Sequence, residues 1–70
     1  MNYAFLVDPK SNPLTALQVD NAIKPNYPQV QASTVACYTI PWLVIVHTEG
    51  ELSGHELQDI QVILDNLDPP

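Results

Sequence analysis

The sequence predicts a small α+β protein: a two-layer sandwich of order β-α-β-β-α, with a three-stranded, mainly antiparallel sheet and two helices on one face. Three observations carry this. Trp42-Leu43-Val44-Ile45-Val46 is an unbroken apolar run, short and rich in residues that favour strands. Two further runs, residues 3–7 and 30–39, are bounded by turn-forming residues. The segments between and after them carry helix-start signals, the clearest at Ser53.

Tyr3-Ala4-Phe5-Leu6-Val7 forms the first strand, and Asp8-Pro9 ends it. Asn12-Pro13 opens a helix over residues 13–24, because Asn caps an N-terminus and Pro is favoured at the first helical position. The apolar face of this helix is divided. Ala16, Val19 and Ile23 share one side, while Leu14 and Leu17 lie nearer the other. Pro25 and Pro28 end it and leave Tyr27 in a loop, at the surface.

In the second strand, residues 30–39, Val30, Ala32, Ala36 and Tyr38 alternate with Gln31, Ser33, Val35, Cys37 and Thr39. Ile40-Pro41 breaks it, and its peptide bond is open to either isomer. Residues 42–48 return antiparallel as the middle strand. A continuous apolar run there reads as a strand buried on both faces, with Trp42 half buried. Glu49-Gly50-Glu51 is the turn out.

Ser53-Gly54-His55-Glu56 is a capping box, in which each end residue bonds the backbone N–H of the other. Leu52 and Leu57 flank it at the hydrophobic-staple positions. The second helix therefore starts at Ser53 or Gly54. Leu57, Ile60, Ile63, Leu64 and Leu67 fall in a stripe of about 120°, with Gln58, Asp59, Asp65, Asn66 and the apolar Val62 opposite. Asp68-Pro69-Pro70 stops the helix as a frayed tail. Residues 1–70 thus make one domain. With helices on one side only, the other sheet face is short of cover, and Val35, Cys37 and alternate residues of the third strand are expected there.

A single cysteine, Cys37, excludes an internal disulfide. Small scaffolds are otherwise held together by a metal or a partner subunit, so a homodimer gains weight. The unpaired cysteine, the absence of a basic stretch before the first apolar run and the lack of a membrane-length apolar segment point to a cytoplasmic protein.

Charge is the most unusual feature. Eight acidic residues face two lysines, giving a net charge of -6. Lys10 and Lys24 offset Asp8 and Asp20, and after Lys24 there is no Lys or Arg. Glu49, Glu51, Glu56, Asp59, Asp65 and Asp68 are left without internal counter-ions. Such a chain is a poor ligand for nucleic acid or an anionic membrane, since both are bound through cations. A protein with a basic surface is its natural partner. The simpler alternative is that the charge only keeps the chain soluble.

Catalytic signals are weak. Cys37 has no cation or helix N-terminus near it in sequence to activate a thiolate. The glycines are Gly50 and Gly54, and there is no Arg, so neither a phosphate loop nor a phosphoryl clamp exists. No cofactor or catalytic residue is assigned. His47, Glu49, Glu51, His55 and Glu56 are metal-ligand types, but their spacing matches no zinc signature.

The residues therefore point to a small non-catalytic protein that binds another protein through Glu49, Glu51, Asp59, Val62 and Asp65, with Tyr27 and Trp42 as aromatic anchors. In its sharper form it is an inhibitor that mimics DNA and fills a basic nucleic-acid-binding groove, a device suited to a phage or mobile element. The alternatives are an assembly subunit that forms a homo-oligomer, and a small metal- or ligand-binding domain around His47 and His55.

Overall fold

In the computed structural model, which describes residues 1–68, the apolar run starting at Trp42 is the middle strand of a three-stranded sheet. The elements are β1 (Asn2–Val7), α1 (Ala16–Ile23), β2 (Gln31–Ala36), β3 (Trp42–His47) and α2 (Gly54–Asn66). Pro69 and Pro70, in the expected frayed tail, lie outside the described residues. The strand order is β1-β3-β2, and both outer strands are antiparallel to β3. The connection from β1 to β2 through α1 therefore crosses from one edge of the sheet to the other.

Both helices pack on one face. Phe5, Val7, Trp42, Val44 and Val46 point into that layer and meet Val19 and Ile23 of α1 and Ile60 and Leu64 of α2. Leu14, Val30 and Leu52 close the core from the connecting segments. Trp42 is 7% exposed rather than half buried, because it shares its strand face with Val44 and Val46. For the same reason β3 is buried on one face only. Leu43 and Ile45 lie on the other, where no helix covers them, and they remain partly exposed.

The alternation expected for β2 holds at Val30 and Ala32 and then reverses. Ala32 pairs with Val46, but Thr34 pairs with the next β3 residue, Ile45. Ser33 is thus an extra residue, a β-bulge that inverts the parity of all that follows. Val35, opposite Val44, and Cys37 pack against the core and not on the open face. The strand also ends at Ala36, short of Thr39.

The start of α1 differs as well. Thr15 is its N-cap, not Asn12. Gln18 N–H donates to Thr15 Oγ1 at 3.2 Å, and Thr15 N–H donates to Gln18 Oε1 at 3.0 Å. This reciprocal pair satisfies two backbone donors at the start of the helix. Leu14 then lies outside the helix, buried in the core, while Leu17 stays on the outer side of α1, 69% exposed. At α2 the expected box is present: Ser53 Oγ accepts from Glu56 N–H at 3.2 Å and Glu56 Oε1 from Ser53 N–H at 3.0 Å. The Tyr3 hydroxyl accepts from Leu52 N–H at 2.9 Å and ties this start to β1.

A helix side chain closes each sheet edge at one point. On the β2 edge, Asp20 Oδ1 of α1 accepts from Ala32 N–H at 2.6 Å. On the β1 edge, Gln61 Nε2 of α2 donates to the Leu6 carbonyl at 2.9 Å. The Ile40-Pro41 bond is cis. Among the described residues, no helix is long and apolar enough to cross a membrane.

Candidate functional site

Two surfaces of opposite character result from this layout. The first is the outer face of α2. Burial of Ile60 and Leu64 turns His55, Gln58, Asp59, Val62, Asp65 and Asn66 outward, and Val62 is 50% exposed among them. The turn before the helix adds Glu49 and Glu51, both exposed.

The carboxylates of the helix are held in place. The Tyr27 hydroxyl donates to Asp59 Oδ2 at 2.7 Å. His55 Nε2 lies 3.9 Å from the same oxygen, one helical turn away. Gln61 Nε2 donates to Asp65 Oδ1 at 3.0 Å. The Lys10 ammonium reaches across to donate to the Asp65 backbone carbonyl, which brings one of the two lysines to this side of the molecule. Glu56 is engaged in the cap. The Tyr27 phenol is pushed up to about 12, chiefly by its hydrogen bond to Asp59, then by lost hydration and the negative charge of Asp59 and Glu56.

Of the residues expected to contact a partner, Tyr27, Asp59, Val62 and Asp65 belong to this region or adjoin it. Tyr27 is not a free surface anchor: its ring packs against the core and only its hydroxyl reaches the acidic face. Trp42 is in the core and offers no contact surface.

The two histidines point to different places. His47 Nδ1 is 2.8 Å from Asn2 Oδ1 at the end of the β1–β3 ladder, while His55 stands on α2 beside Asp59. Among the described residues, no three His, Cys, Asp or Glu side chains gather so as to hold a metal ion. Cys37 is separated from His47 as well. The bulge turns it toward the segment that precedes α1, where its thiol lies 3.7 Å from the Leu14 carbonyl.

The chain matches no family model, no curated protein and no solved structure.

The second surface is the sheet face that no helix covers, where Ala36, opposite Leu43, is nevertheless buried. Ala4 and Leu6 of β1 stand opposite Ile45 and Leu43 of β3, and Leu6 is 61% exposed. At the same end, in the β2–β3 connection, Tyr38 and Ile40 are 88% and 86% exposed. The other end of this face is polar, with Asn2, Gln31 and His47. No Asp, Glu, Lys or Arg occupies any strand position of β1, β2 or β3. Leu6, Tyr38 and Ile40 were not among the contact residues expected from the sequence. The signal for Leu6 was present in the alternation of Phe5 and Val7 with Ala4 and Leu6, which assigns Leu6 to the face away from the helices.

Proposed function

We propose that this chain is a small acidic protein without catalysis of its own, acting by binding a second protein whose contact surface is basic. The observation that carries the reading is the fixed arrangement of carboxylates around exposed Val62 on α2. Asp59 and Asp65 are each hydrogen-bonded to a neighbouring side chain before any partner arrives. Ordering a side chain at an interface costs about 0.5–1.5 kcal/mol, and groups already held avoid much of that cost. Val62 supplies an apolar contact between the charges, and Glu49 and Glu51 extend the negative field along the molecule.

A basic groove that ordinarily holds nucleic acid is the partner class with the strongest complementary charge. In that case the carboxylates stand in for phosphates and the protein is an inhibitor. The test is capture of partners on immobilised chain, followed by affinity measurement over a salt series with competing DNA. The expected partner loses at least about tenfold in affinity on raising the salt, mostly through faster dissociation and slower steered association. Replacing Asp59 and Asp65 together by Asn should weaken it by a comparable factor. A partner indifferent to salt and to both substitutions would refute the acidic-face reading.

A further inference from the structure

The uncovered sheet face is a separate surface with a different chemistry. We infer that it is occupied by a second copy of this chain, packed sheet against sheet about a two-fold axis.

The first argument is the β3 sequence. Five successive apolar residues are the pattern of a strand covered on both sides. One chain covers only Trp42, Val44 and Val46, and leaves Leu43 and Ile45 part exposed. A second sheet laid over this face completes the burial that the sequence encodes.

Charge is the second argument. Two chains of net charge -6 repel each other. The strand positions carry no formal charge, while the acidic residues lie in the loops and on the helices. This is therefore the face on which a like-charged copy approaches at least cost. A basic partner would find nothing on it to pair with.

The third argument is the edges. Self-association of a small sheet can also proceed by strand addition at an open edge. Asp20 occupies the Ala32 N–H on one edge, beside the Ser33 bulge, and Gln61 occupies the Leu6 carbonyl on the other. Each edge is thus interrupted at one point, which makes strand addition less favourable than packing on the face.

Area is the fourth. Three strands of six residues make a face of about 20 by 14 Å from the strand rise and spacing. Exposed Tyr38 and Ile40 extend it at one end, an aromatic side chain adding on the order of 150–250 Å². With Tyr38 the sum is roughly 430–530 Å² per partner, below the ~800 Å² of a standard interface and of the size of a weak, concentration-dependent dimer. Two such faces pack about 10 Å apart, with side chains interleaved.

Sedimentation equilibrium of the purified chain from about 1 µM to 1 mM tests the inference, a range bracketing affinities from tight to weak. The expected result is a monomer–dimer equilibrium that is unchanged or tightened by added salt, since salt screens the mutual repulsion of the two acidic chains. Leu6→Lys and Tyr38→Lys should each weaken the dimer at least about tenfold, because each sets a charge into an apolar contact. Both positions are exposed in one chain, so circular dichroism and melting should show the fold intact. Val62→Lys, on the opposite layer, should leave the dimer unchanged. A strict monomer at about 1 mM overturns the inference and leaves the face to a foreign protein or a lipid surface. A dimer that survives both Leu6→Lys and Tyr38→Lys, or that dissolves on Val62→Lys, overturns it too. The opposite response to salt separates this contact from the acidic-face contact, so either can fail alone.

Discussion

Deleting Ser33 should do little harm, although it removes a residue from within a strand. Ser33 is exposed and has no partner in the β2–β3 ladder. Without it Ala32 still faces Val46 and Thr34 still faces Ile45, now as direct neighbours, and Val35 keeps its place in the core. One fewer residue is ordered on folding, a gain of about 1–2 kcal/mol. Adjusting the Asp20 bond to Ala32 N–H costs about 1 kcal/mol if that bond is lost. The net change is within about 1 kcal/mol of zero. Deleting Ala4 is the matched comparison, since it is also small and exposed within a strand, but β1 has no bulge. The least costly repair turns Tyr3 outward and puts Asn2 in its place. That forfeits the Tyr3 packing and leaves Leu52 N–H without its acceptor. The cost is roughly 3 kcal/mol, from about 1–3 for the orphaned donor plus the lost apolar burial. A chain of this length has a total stability on the order of 4–10 kcal/mol. Urea unfolding followed by the fluorescence of buried Trp42 measures both variants. With a slope near 1 kcal/mol per M for so small a protein, the two midpoints should differ by roughly 2 M or more. Equal losses for the two deletions would refute the placement of the bulge.

Ile60 is fully buried between the helices and the sheet, so Ile60→Ala should cost about 2–5 kcal/mol and Ile60→Val only about 0.5–1.5, again by urea unfolding. Ser53→Ala removes the acceptor for Glu56 N–H and should lower stability by about 1 kcal/mol, whereas Ser53→Asp should keep most of it. Thr48 is buried and its hydroxyl has no partner among the described residues, so Thr48→Val should leave stability unchanged or raise it by about 1 kcal/mol. The folded Tyr27 phenol titrates near 12 against 10.0 when unfolded, so the folded state binds more protons between those values. Its contribution is fully present below pH 10 and is lost as pH rises toward 12. Tyr27→Phe should flatten the fall in melting temperature across that window, and an unchanged slope would remove the Asp59 bond from the account.

What the sequence made legible is what local chemistry spells out. Ser53 and Glu56 are three residues apart, and their reciprocal bonds need nothing from the rest of the chain. The β3 run likewise needs only its own length and composition. The Ser33 bulge lies among small residues, Ala32, Ser33 and Thr34, whose apolar signal is too weak to show that parity changes there. An alternation started at Val30 therefore carried Val35 and Cys37 to the wrong face. At α1 the signal read at Asn12-Pro13 masked the cap that forms, Thr15 with Gln18. The outcome includes burial of Leu14 against the core, a tertiary effect. The Tyr27–Asp59 bond joins residues 32 apart and has no local mark at all. Trp42 was recoverable: its face is shared with Val44 and Val46, and alternation alone makes it core.

The order β1-β3-β2 also dictates when the molecule can form. β1 and β2 are never neighbours, so every ladder in the sheet waits for β3. A chain emerging N-terminus first displays Phe5 and Val7 on a strand with no mate until Trp42 through His47 have been made. The contact from Asn2 to His47 then closes a loop of most of the chain in one step. Local hairpin closure of β2 on β3 comes at far less entropic expense, since a short connection joins them. The hairpin is thus the natural seed, and the oldest strand is the last to dock.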